Sequence, residues 1–139
     1  MIDDLEDITA GNKIFMTQDE LKTRTKEFAI RIINLCAALP DNAIGRTIRN
    51  QLIRSGCSVG ANYRASCRAR SKAEFIAKLG IVIEESDESS FWLELIIEAK
   101  VMKKELVAPL LAESNELTAI FAKAVISSKN KSSIINHKS

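Results

Sequence analysis

Apolar residues recur three and four positions apart through most of the chain, and this spacing divides it into four amphipathic helical stretches. The first carries Leu21, Phe28, Ile32, Leu35 and Leu39. Thr17 opens it with Glu20 three residues on, a pairing that satisfies backbone N–H groups left unpaired at a helix start. Pro40 closes it. The second runs from 42 to about 69, with Asp41 as its cap and Ile44, Ile48, Leu52, Val59 and Tyr63 on one side. Its Gly45, Gly56 and Gly60 each lose up to about 1 kcal/mol against alanine. With Ser55 they remove bulk, which predicts a neighbouring helix in close contact; a break at 55–58 is the competing reading. Ser71 and Glu74 open the third, from 72 to about 103. Val107-Ala108-Pro109 opens the fourth, with proline in the first turn. Leu110, Leu111, Leu117, Ile120, Phe121, Ala124 and Val125 form its apolar face.

Outside these helices the pattern fades. Residues 1–16 contain Ala10-Gly11-Asn12 and read as a flexible N-terminal extension; residues 127–139, rich in Ser, Lys and Asn, read as a disordered tail. The domain between them, 17–126, is expected to be an all-α antiparallel up-and-down four-helix bundle, because short connections place successive helices side by side.

The third helix is apolar on two sides. Counting about 100° per residue, Phe75, Ile76, Leu79, Val82, Ile83, Leu93 and Ile97 share one stripe, while Ile81, Phe91, Trp92, Leu95, Ile96 and Ala99 fall largely opposite. A bundle needs one stripe per helix, so the second predicts an interface with another copy of the chain. Coverage by a segment of the same subunit is the alternative.

Composition narrows the chemistry. The chain has 139 residues, 46% hydrophobic and 27% charged, with 5% aromatic residues, 5 Gly and 2 Pro. That fits one domain with a real core and argues against a sandwich or barrel. No apolar run approaches the roughly 18 residues of a membrane span, and the acidic start is unlike a signal peptide, so the expectation is cytoplasmic. Cys36, Cys57 and Cys67 are odd in number without a CxxC pair, which reads as free buried thiols. The single His137 sits near the end, leaving no base for a Cys-His or Ser-His pair. Neither a catalytic residue nor a cofactor is expected. Glu84 and Glu88 share a helix face, but a di-iron bundle also needs helical histidines, and no metal site is assigned.

The net charge of +2 conceals segregation: −2 over 1–40, +6 over 41–80, −6 over 81–120 and +4 over 121–139. On the second helix Arg46, Arg49, Arg54, Arg64 and Arg68 lie within one arc opposite the apolar side, and Arg70, Lys72 and Lys78 continue the charge around the turn. Arginine's planar fork suits phosphate oxygens, so this ridge is a candidate RNA or DNA contact. Ion pairing with Glu84, Glu85, Asp87, Glu88, Glu94 and Glu98 would use the same arginines structurally. Asn62, at the edge of the apolar side, is expected to bond across helices and set their register.

The stretch Arg54-Ser55-Gly56-Cys57-Ser58-Val59-Gly60-Ala61-Asn62 resembles the bacterial family named for proteins encoded in intervening sequences of large-subunit ribosomal RNA. Phe75-Ile76-Ala77-Lys78-Leu79, Glu84-Glu85-Ser86-Asp87-Glu88-Ser89, Phe91-Trp92-Leu93-Glu94-Leu95 and Phe28 to Leu35 fit the same pattern. The resemblance implies a four-helix bundle assembling as a homopentamer. Relatives include accessory variability proteins of diversity-generating retroelements, which implies basic barrels that bind nucleic acid and a reverse transcriptase. Ala65-Ser66 and Phe91 depart from the family's frequent residues, and no catalytic residue carries over. The resulting expectation is a non-enzymatic homo-oligomer contacting RNA or DNA through the arginine face; the alternative is a protein-binding adaptor without nucleic-acid contact.

Overall fold

Thr17 starts the first helix as its pattern requires, its hydroxyl oxygen accepting from the Glu20 N–H at 3.0 Å. The computed structural model describes residues 4–7 and 14–138, with side chains from Met16 to Lys131. Helix α1 spans Gln18–Ala37, α2 Ala43–Cys67, α3 Lys72–Glu98 and α4 Lys104–Lys138. They pack in order, α1 on α2, α2 on α3 and α3 on α4, as an all-α up-and-down bundle. Among the described residues no helix is long and apolar enough to cross a membrane.

The interior is built from the expected positions. Leu21, Phe28 and Ile32 of α1, Leu52, Val59 and Tyr63 of α2, Leu79, Val82 and Leu93 of α3, and Leu117 and Phe121 of α4 are buried together. Tyr63 and Phe121 stack with ring centroids 5.2 Å apart. Helix α2 runs unbroken through 55–58, and its glycines show why. A Cβ on Gly56 would lie 2.8 Å from Ile32 Cγ1, and one on Gly60 would lie 3.3 Å from Thr25 Oγ1, so α1 rests directly on the α2 backbone. Gly45 differs: it is held against the Pro40 carbonyl, in the turn before its own helix.

Several boundaries move from their expected places. The cap of α2 is Asn42, whose side chain accepts from the Gly45 N–H at 2.8 Å, not Asp41. Helix α3 stops at Glu98, five residues early. Lys100 takes φ 57°, and the N–H groups of Lys100 and Val101 turn back onto Ile97 and Ile96 carbonyls at 3.1 and 2.9 Å, a left-handed stop without glycine. Helix α4 begins at Lys104, so Pro109 falls in its second turn rather than its first. Ile44, assigned to the core side, is 64% exposed because it sits in the first turn of α2.

Both flanks also differ from expectation. Within the extension, β1 (Asp4–Asp7) and β2 (Ile14–Thr17) pair antiparallel, Leu5 opposite Met16 and Glu6 opposite Phe15; residues 1–3 and 8–13 lie outside the described residues. The stretch from 127, assigned to a disordered tail, continues α4 to Lys138. Nothing after Pro109 breaks a helix there, and Ser128 is buried. The side chain of His137 and residue 139 lie outside the described residues.

A hydroxyl seam crosses the middle of the bundle. Ser89 Oγ–H donates to Ser55 Oγ at 3.0 Å, Ser86 and Thr118 are 2.8 Å apart, and so are Ser90 and Ser114. Ser114 also donates to the Ser86 carbonyl at 2.9 Å. These contacts join α2 to α3 and α3 to α4, while Ser55, Ser86, Ser89 and Thr118 also bond carbonyls one turn back in their own helices, so the buried hydroxyls are satisfied.

Candidate nucleic-acid interface and assembly face

The five arginines of α2 share an arc but not a role. Arg49 turns toward α1: its Nε donates to the Cys36 carbonyl at 3.1 Å and its Nη2 to the Leu39 carbonyl at 3.0 Å. The Cys36 carbonyl also accepts the Leu39 N–H at 3.2 Å and Leu39 lies just past the end of α1, so Arg49 is a further donor brought to the end of α1 from outside the helix. Arg54 turns the other way, onto Glu85 Oε2 at 3.1 Å and onto Glu88. The Glu88 hydrogen bond is the largest influence raising its pKa. Arg46 pairs with Asp41 at 3.1 Å in the preceding turn. Three of the candidate ridge residues thus have partners within the chain, Arg46 and Arg54 in exposed ion pairs.

Arg64 and Arg68 remain exposed, one turn apart near the end of α2. Neither makes an ion pair with a carboxylate among the described residues. Arg64 also rims a cleft of about 210 Å³ between α1 and α2, together with Lys22 and Lys26 and floored by Cys57, Gly60 and Ala61. The positive surface at this cleft joins the end of α2 to the start of α1, whereas the sequence reading extended it from α2 around the turn toward Lys78.

On α3 the second stripe divides. Ile96 is 0% exposed and belongs to the core, a correction to its place among the interface candidates. At about 100° per residue it lies near the edge between stripes, and the neighbouring helices reach around it. Phe91 and Ile81 are 50% and 40% exposed. Trp92 and Leu95 are half-buried and Ala99 is exposed. Phe91 meets Trp92 edge-on, centroids 5.2 Å apart, and the Trp92 indole N–H donates to Glu88 Oε2 at 3.2 Å. Glu88 thus receives both Arg54 and Trp92 while Glu84 stays exposed.

Asn62 does not reach another helix. Its amide Nδ2 donates to the Ser58 carbonyl one turn back at 2.9 Å, and the register is set by the hydroxyl seam instead. Sequence reasoning missed that seam, although Ser86, Ser89 and Ser90 share the phase of Leu79, Val82 and Leu93 on the helical wheel. It also missed Arg24, which grips Glu113 through Nε and Nη2 at 2.8 and 2.7 Å and reaches Glu116 at 3.1 Å, tying α1 to α4. No spacing along the chain reveals a pair 89 residues apart.

The three cysteines are free, Cys36 and Cys67 buried and Cys57 half-buried. Burial pushes the Cys36 thiol up to about 11 against the opposing pull of Arg49, and burial raises Cys57 as well. The buried Tyr63 phenol is raised too, by burial first and then by the Cys67 thiol and Asp19. These groups are held neutral, the opposite of what a thiolate nucleophile needs.

Fold and surface together define a small up-and-down helical bundle with segregated charge and a part-apolar outer helix. Residues 18–123 match the family model described as 23S rRNA-intervening sequence protein, and the chain belongs to that family. A crystal structure of a protein of unknown function from the S23 ribosomal protein family of Bacteroides thetaiotaomicron VPI-5482 is similar, at 34% identity and TM-score 0.73, covering 79% of this chain and 98% of that one. Comparison with curated proteins finds no match.

Proposed function

We propose that the chain is a cytoplasmic, non-enzymatic homo-oligomer, a pentamer if the family resemblance holds for assembly, that contacts RNA or DNA through Arg64 and Arg68. The observation that carries the nucleic-acid reading is the exposure of these two arginines, Arg64 at the cleft it shares with Lys22 and Lys26, with no carboxylate paired to either arginine among the described residues. Uncompensated arginine attracts phosphate, and both the matched 23S rRNA-intervening sequence family and the similar S23 ribosomal family protein are named for ribosomal material. Self-association rests on Ile81, Phe91, Trp92 and Leu95, an apolar stripe left wholly or partly outside the core.

The test is retention of a structured RNA by wild type and by Arg64→Glu/Arg68→Glu at several salt concentrations. Wild-type affinity is expected to fall steeply as salt rises, and the charge-reversed variant to lose at least about tenfold while its oligomer stays intact. Equal retention by the two proteins removes the nucleic-acid reading. The adaptor reading then stands, favoured by the acidic and apolar outer face of α3.

A further inference from the structure

Helices α1 and α4 meet unevenly. Toward the start of α1, Arg24 bridges to Glu113 and Glu116 at 2.7 and 3.1 Å and closes the boundary. Further along α1, from Arg31 to Ala38, the two helices leave a groove of about 340 Å³. Its walls are Leu35, Ala38, Met102, Leu106, Pro109 and Leu110, with Arg31 and Asn34 completing the lining from α1. Leu106 is 60% exposed, and Leu35 and Met102 are half-buried. Leucine and methionine left this far out on facing walls are surface that gains from being covered.

The groove limits what covers it. Arg31 to Ala38 spans about 10.5 Å at 1.5 Å per residue, or two helical turns. That length seats two or three side chains, far short of the roughly 1,200–2,000 Å² that a stable subunit contact buries. The lining holds no aromatic ring, so it offers no face on which a nucleobase can stack. Charge is one-sided. Arg31 stands at one end and Lys103 and Lys104 follow Met102 at the other, all three exposed and none ion-paired among the described residues. No carboxylate lines the groove, and Glu105 is the one acidic residue between Met102 and Leu110.

We infer that this groove docks a short acidic amphipathic helix of another protein, with two apolar side chains one turn apart entering between Leu35 and Leu106 and its carboxylates meeting Arg31, Lys103 and Lys104. Apolar anchors at helical spacing are how a groove between helices holds a partner helix. The cations at the two ends select acidic flanks over basic ones. The groove is separate from Arg64 and Arg68 and from the outer stripe of α3, so a docked helix leaves both of those surfaces free.

Isolated short helices are marginal in water, so the probe is a fluorescein-labelled, stapled helical peptide of about 14 residues. It carries two leucines four positions apart, two glutamates toward each end, and alanine and glutamine elsewhere. Fluorescence anisotropy against the full chain is expected to saturate below about 1 mM. A peptide with lysine in place of each glutamate is expected to bind at least about tenfold more weakly, and the glutamate peptide to lose as much on Arg31→Glu. The lysine peptide is expected to bind Arg31→Glu better than wild type. Leu106→Asp, at an exposed position, is expected to abolish binding with the melting temperature unchanged, and Arg64→Glu/Arg68→Glu to bind as wild type does. No saturation, equal affinity for the two peptides, or binding retained by Leu106→Asp overturns the inference. Displacement of the peptide by a structured RNA also overturns it, by giving the groove to nucleic acid. So does loss of the oligomer in Leu106→Asp by native mass spectrometry, which would make the groove a contact between copies.

Discussion

The guanidinium Nε of Arg49 lies 3.1 Å from the carbonyl oxygen of Cys36, and this single contact reassigns a residue from surface chemistry to folding. Arg49 also holds the Leu39 carbonyl, so one side chain from α2 closes α1 at the bend around Pro40. Hydrogen bonds from a charged donor contribute about 1.5–3 kcal/mol. Arg49→Ala is expected to lower unfolding free energy by about 2 kcal/mol in urea denaturation and to leave RNA retention per folded molecule unchanged. A stability loss under about 0.5 kcal/mol, the range of an ordinary surface substitution, would return Arg49 to the candidate ridge.

Two glycines predict opposite signs. A methyl on Gly56 collides with Ile32, 2.8 Å from Cγ1 and 2.9 Å from Cγ2. Overpacking of this kind costs about 1–3 kcal/mol, more than the gain in helix propensity of up to about 1 kcal/mol. At Gly80 in α3 the same methyl meets nothing within 4 Å. Gly56→Ala is therefore expected to lower the melting temperature and Gly80→Ala to raise it, by about 0.5–1 kcal/mol in stability for the latter. Thermal denaturation of the pair checks both.

Alkaline pH is expected to weaken the fold through Cys36. Its folded thiol titrates at about 11, whereas an unfolded thiol titrates near 8.5. Between those values the unfolded chain releases a proton that the native chain keeps. The contribution is complete below about pH 8.5 and falls away as pH rises toward 11, with Tyr63 acting in the same direction. Denaturation midpoints at pH 8 and 10.5 are expected to differ less in Cys36→Ala than in wild type.

What was legible in the chain followed from periodicity. Phe28, Leu52, Leu79 and Leu117 each stand where an apolar stripe puts them, and Thr17 and Ser71 cap the helices they announce. Charge was less legible, because a helical wheel gives the direction of a side chain but not what it meets. Arg49, Arg54 and Arg64 share an arc, yet one meets carbonyls, one meets carboxylates and one has no ion-pair partner among the described residues. Ile96 shows the same limit, since a position between two stripes is decided by how far the neighbours wrap. The end of α3 had no sequence signal, because its left-handed stop at Lys100, closed by backbone bonds back to Ile97 and Ile96, carries no glycine or asparagine to announce it.

The three hydroxyl pairs of the seam lie within one turn of α3 and act as an index between the central helix and both its neighbours. Oily side chains tolerate sliding; these pairs do not. Shifting α3 by a single turn would separate Ser55 from Ser89 and Ser90 from Ser114 together, so misaligned packings of the same helices are penalised all at once.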